Sequence, residues 1–144
     1  MTQSNKELLA SVFGLVRGIR KQFDARASAM DMTYARAQAL THIAANEGLT
    51  QVELAAILDI RTPTMNRTLD HLEAAKLIER RTTREDKRVR QLFLTPQAHR
   101  QADRIVSFTH ELREEAYRGI PPEEVEQALA TLRRIQANLD AMEG

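Results

Sequence analysis

The sequence predicts a mainly helical α+β chain, and three observations carry that class. Apolar residues recur at three-to-four spacing over long stretches at both ends, short pieces with helix-start signals fill the middle, and two strand-length runs flank one charged segment. Of the 144 residues 42% are apolar, 28% charged and 4% aromatic, the make-up of one soluble globular domain or two tightly fused halves. There are no cysteines, which excludes a disulfide framework, thiolate zinc sites, iron–sulfur ligation and thiol catalysis.

At the N-terminal end Leu8, Val12, Leu15 or Val16, Ile19 and Phe23 follow one helical face, and Leu9 and Phe13 widen it, so a long helix is expected from about Asn5 to Ser28. Thr33 caps an alanine-rich helix that carries Leu40, Ile43 and Ala44 inward and is expected to end at Gly48. Thr50 with Glu53 has capping-box spacing, and Leu49 with Leu54 occupies the positions of a hydrophobic staple, so a short helix follows over Gln51 to Leu58. Thr62-Pro63 reads as a cap followed by proline at the first helical position and opens a helix to about Ala75. Its inward face is Met65, Leu69 and Leu72, which leaves Thr64, Asn66, Arg67, Asp70 and His71 turned outward.

Leu77 to Thr82 and Val89 to Leu94 then read as a β-hairpin with a basic tip. Thr95-Pro96 repeats the cap-plus-proline signal before a long helix through Ile105, Phe108 and Leu112 that stops near Gly119. A last helix after Pro121-Pro122 aligns Val125, Leu129, Leu132, Ile135, Leu139 and Met142. The organisation is therefore a middle lobe over residues 33–95 between helical segments 1–32 and 96–144.

Two short helices joined by a tight turn and followed by a hairpin make a winged helix-turn-helix with a two-stranded wing, whose second helix enters the major groove of duplex DNA. The charge distribution agrees. Residues 61–90 carry nine basic against five acidic side chains, whereas 111–144 carry four against eight, so a total of +1 conceals a basic centre and an acidic tail. Candidate DNA contacts are Thr62, Pro63, Thr64, Asn66 and Arg67 at the start of the second helix, with Thr50 and Gln51 where the first helix presents free amides that suit phosphate. At the hairpin tip Arg84, Lys87 and Arg88 suit phosphate or a narrow minor groove. Asp86 is the wrong charge for such a contact and is expected to orient an arginine, either Arg88 or Arg80. Arg67 has a structural alternative as well, a bridge to Asp70 or Glu73 one turn away.

The run Arg67-Thr68-Leu69-Asp70-His71-Leu72-Glu73, then Leu77-Ile78-Glu79-Arg80, Asp86-Lys87-Arg88 and Leu94-Thr95, together with Thr50-Gln51-Val52-Glu53-Leu54-Ala55, resembles the multiple-antibiotic-resistance regulator (MarR) family, and its SlyA-type members most closely. The ordered set covers the whole middle lobe, and the flanking helices match in length. The resemblance implies a homodimer whose first and last helices interlock, a pseudo-palindromic operator, and a repressor released by a small aromatic or anionic ligand. It also implies a ligand site where the dimerisation helices meet the winged lobe, which here brings in Phe13, Arg17, Arg20, Met30, Met32, Tyr34 and Arg36. An arginine among apolar walls holds an aromatic carboxylate by charge-assisted hydrogen bonds. Lys76 and Ala98 stand where the family usually has glycine, so a left-handed turn at Lys76 is expected to cost about 1 kcal/mol.

Other classes fare worse. The four histidines show no spacing that reads as a metal site, and no phosphate-cradling glycine loop, nucleophile elbow or acid/base pair occurs, so neither an enzyme nor a cofactor is expected. The longest nearly apolar stretch, Leu8 to Val16, has nine residues against the roughly 20 that a bilayer requires. Glu7 beside Lys6 makes a poor signal peptide, and a cytoplasmic protein without membrane association is expected. The rival within the same fold is a winged-helix module used for protein association alone; the rival outside it is a helical small-molecule-binding or catalytic protein, which needs a titrating cleft group.

Overall fold

The computed structural model describes residues 2–142, so Met1, Glu143 and Gly144, the extreme ends of the two flanking segments, lie outside the described residues. The elements run α1 (Thr2–Ala27), a single 3₁₀ turn (Ser28–Met30), α2 (Tyr34–Ala45), α3 (Gln51–Leu58), α4 (Thr62–Ala74), β1 (Ile78–Thr82), β2 (Arg90–Leu94), α5 (Pro96–Ala116) and α6 (Pro122–Met142). By their internal contacts they fall into two compact units, one through Leu112 and one from Arg113 onward.

In the first unit the core is built from the inward faces of α2, α3 and α4, the start of α5 and the hairpin. Leu40, Ile43, Leu54, Met65, Leu69, Leu72, Ile78, Leu92 and Ile105 are its largest fully buried side chains. Ala44, expected inward, is only half-buried. The strands pair antiparallel with Ile78 opposite Leu94, Arg80 opposite Leu92 and Thr82 opposite Arg90. Alternation puts these three pairs on one face of the hairpin, which is buried at the Ile78–Leu94 end and opens to solvent at Arg90. Gly48 donates its amide to the Leu92 carbonyl at 2.8 Å and the Leu92 amide returns to Leu49 at 2.9 Å, so the segment before α3 is stitched to β2.

Three helix ends depart from the usual chemistry in the same way. Asp31, Asp59 and Lys76 hold left-handed φ values of 52°, 50° and 60°, a region that costs residues with a Cβ but that aspartate tolerates better than lysine. After α4 the Lys76 amide donates to the Glu73 carbonyl and the Leu77 amide to Leu72, both at 2.9 Å, the paired bonds of a Schellman motif. The Thr95 hydroxyl then donates to the Lys76 carbonyl at 2.8 Å, so the strained turn is tied to the start of α5. The family's other missing glycine costs nothing: Ala98 lies within α5, fully buried, with its amide donating to the Thr95 carbonyl at 3.0 Å.

Several boundaries move. The capping box at Thr50 and Glu53 is present with both bonds, and Thr33 accepts from the Arg36 amide, as their spacing predicts. Thr62, expected as a cap, is instead the first helical residue, and Arg61 occupies the cap position without a side-chain hydrogen bond. Helix α2 ends at Ala45 rather than at Gly48, because Asn46 closes it by donating its amide to His42 and Ile43; Gly48, with φ 95°, serves the next turn. Helix α1 stops at Ala27, where the chain tightens into the 3₁₀ turn, and the hairpin strands begin one residue later than expected, at Ile78 and Arg90.

Helix α1 buries only its C-terminal end, Phe23 and Ala27; Leu8, Leu9, Leu15, Val16 and Ile19 are exposed, and Phe13 is 68% exposed. In the second unit α6 opens with Glu123 and Glu124, which complement the positive end of its dipole, and none of its described residues is buried. Leu129, Leu132, Leu139 and Met142 leave an apolar stripe uncovered along it.

Candidate nucleic-acid interface

The outward face of α4 is polar because every residue at its inward spacing is already in the core. Thr62, Pro63, Thr64, Asn66 and Arg67 are all exposed, as the 3.6-residue period predicts. Since Arg61 makes no side-chain cap bond, the free amides of the first turn are left to solvent or to a ligand. Beside this face the start of α3 and the root of the wing enclose a concavity of about 450 Å³, lined among others by Thr50, Gln51, Thr62, Asn66, Arg88 and Arg90.

Within it the Gln51 Nε2 donates to Asn66 Oδ1 at 3.0 Å, which ties the first turn of α3 to α4. Arg80 reaches from β1 to α4, 2.5 Å from Asp70 and 3.9 Å from Glu73, with a side chain only 8% exposed. These carboxylates turn toward Arg80 rather than Arg67, which leaves Arg67 on the open face.

The wing tip is organised by Thr83 and Asp86. The Thr83 hydroxyl accepts from the Asp86 amide and donates to the Asp86 carbonyl, each at 2.9 Å, and Asp86 Oδ1 accepts from the Arg88 amide at 2.9 Å. Arg88 Nε lies 3.5 Å from the same oxygen while its side chain stays 94% exposed. Of the two arginines considered for Asp86, the structure selects Arg88, and Arg80 is claimed by Asp70. Arg84 and Lys87 are exposed at the tip.

Four lining residues are absent from the expected contacts: Asp70 and Arg80, which pair with each other, and Arg90 and Val52. Arg90 shares a strand face with buried Leu92 and Leu94, so its alternation reads as core; only the packing shows that the core ends before it. Val52 reads as an inward apolar residue of α3 and is 80% exposed, an aliphatic surface suited to a thymine methyl.

The region expected to hold a ligand is partly assembled. Arg20, Met32 and Tyr34, with Asp24, Ser28, Thr33 and Ala35, line a second concavity of about 390 Å³. The Arg20 guanidinium sits 5.1 Å above the Tyr34 ring, whose edge meets Phe23 at a centroid distance of 5.1 Å. Phe13, Arg17, Met30 and Arg36 do not line it; Phe13 is exposed on α1, and Met30 packs against the core. Among the described residues no group of three or more histidine, aspartate or glutamate side chains is placed to hold a metal ion, and no helix is long and apolar enough to cross a membrane.

A helix-turn-helix with a two-stranded wing, a polar recognition face and arginines at the wing root defines the winged-helix class of regulator folds. Residues 30–89 match the MarR family model. The transcriptional regulator PA3341 is 33% identical over 94% of this chain and 98% of its own, with a TM-score of 0.81. MepR from S. aureus, solved as a DNA complex, is 25% identical, with 91% and 97% covered and a TM-score of 0.84. A mutant MarR from E. coli complexed with operator DNA shares the fold at 22% identity, with 90% and 93% covered and a TM-score of 0.82. The chain belongs to the MarR family and has the fold of its transcriptional regulators.

Proposed function

We propose that this chain is a sequence-specific DNA-binding regulator, most simply a repressor, that works without catalysis or cofactor as a homodimer on a pseudo-palindromic operator. The observation that carries the reading is the concavity in which Thr62 and Asn66 of α4 stand beside Arg88 and Arg90 of the wing. Base-edge donors and acceptors adjoin phosphate-binding cations there, the pairing that separates specification from positioning at DNA. The exposed apolar stripes of α1 and α6 support a second copy as partner, because water-exposed rows of this length are where interfaces form. Two recognition helices related by a twofold axis then reach half-sites about one helical turn apart.

The Arg20–Tyr34 concavity supports an effector with an aromatic ring and an anionic group. Such a ligand releases DNA only if it prefers the dimer whose lobes are out of register with the half-sites. The test is a fluorescence-anisotropy titration against a random duplex and the protein's own upstream region at two salt concentrations. Tighter promoter binding by roughly 10³ or more is the expected result. No binding to either duplex at low salt refutes the reading and leaves a protein-association module in its place.

A further inference from the structure

Asparagine on a recognition helix ordinarily reads adenine with both ends of its amide, the oxygen accepting from N6 and the nitrogen donating to N7. In this chain the oxygen end is already in use: Asn66 Oδ1 accepts from Gln51 Nε2 at 3.0 Å. The Gln51 Oε1 is buried and without a hydrogen-bond partner among the described residues, and turning this amide over would bury two N–H donors in its place, a costlier orphan than one oxygen. The smaller of the two costs therefore keeps Nε2 turned toward Asn66. The free end of Asn66 is then its Nδ2, on an exposed residue of the concavity that Thr62 and Arg88 also line.

We infer that Gln51 is a positioning residue that presents Asn66 as a donor, so that Asn66 reads an acceptor edge in the major groove, guanine with its O6 and N7 before any other base. The inference rests on the DNA-reading role proposed above and adds the base chemistry of one position in each half-site. It also separates two jobs within α3. Thr50 and Glu53 cap the helix, whereas Gln51, between them in the first turn, acts across to α4.

The test is selection of bound duplexes from a randomised library by wild type, Gln51→Met, Gln51→Glu and Asn66→Ala, with thermal unfolding and the salt dependence of binding measured alongside. Met keeps the length of Gln51 without the amide, so one position of the selected site loses about tenfold of its guanine preference, as it does in Asn66→Ala, while unfolding temperature and salt slope stay at wild-type values. Glu can only accept, so Asn66 must turn over to donate to it, and the preference at that position moves to adenine or cytosine, whose exocyclic amines donate. A wild type that enriches guanine while Gln51→Met retains the full profile overturns the positioning role alone. Enrichment of adenine at the Asn66-dependent position by the wild type overturns the donor assignment, and a wild type that enriches no sequence overturns both this inference and the regulator reading.

Discussion

Removing one end of the Arg80–Asp70 ion pair should cost far more than removing the other. The two partners are 2.5 Å apart, yet the Arg80 side chain is 8% exposed and that of Asp70 66%. If Arg80 becomes Met, Asp70 and half-exposed Glu73 return to water and no charge is stranded, so the loss is that of a largely solvent-screened pair, about 0.5–1 kcal/mol, offset by the apolar Met stem in the same slot. If Asp70 becomes Ala, the guanidinium stays beneath the hairpin with Glu73, 3.9 Å away, as its remaining partner, and Arg80 Nε already lacks a hydrogen bond. Breaking a buried pair from that side costs about 3–5 kcal/mol when burial is complete; the exposed partner and the better helix propensity of Ala reduce this to roughly 2 kcal/mol. Urea unfolding of the three proteins at one protein concentration, compared through midpoints at a common slope, measures the difference. Arg80→Met equal to or more destabilising than Asp70→Ala would refute the argument that burial of the cation sets the balance.

Arg88→Ala, which removes a side chain 94% exposed at the wing, should weaken binding to all duplexes and flatten the slope of log affinity against log salt by about 0.9, without lowering the unfolding temperature. Lys76→Gly relieves a left-handed residue at φ 60°, and the gain of about 1–2 kcal/mol less the extra entropy of glycine leaves roughly 0.5–1 kcal/mol of added stability in the same urea assay. Thr50→Ala deletes one bond of the capping box and should cost about 1 kcal/mol, with the circular-dichroism melting curve moved down accordingly. Charge placed on the bare α1 stripe by Phe13→Glu should shift sedimentation of the protein toward the monomer; an unchanged sedimentation profile would remove α1 from the proposed dimer surface.

Local chemistry was legible wherever one short stretch of chain carries it. The capping box at Thr50, the inward triad Met65, Leu69 and Leu72 and the charged hairpin loop each depend on a few consecutive residues, and each stands where its spacing places it; the left-handed turn at Lys76 is expected from the family resemblance alone. Partners across elements were not. Asp86 had two arginines within reach of the sequence, and only the hairpin register and the Asp70 carboxylate on α4 separated them. Arg80 and Arg90 share one alternating phase and both line the concavity, yet Arg80 is covered and held by carboxylates while Arg90 is exposed, because the depth of the core beneath a strand is set by the elements packed on it. Gln51 and Asn66 are fifteen residues apart and meet only because α3 and α4 cross there. Periodicity and capping are properties of the chain's own geometry; which charge is neutralised, which amide end is free and which apolar stripe stays bare depend on distances between segments that no single stretch of sequence contains.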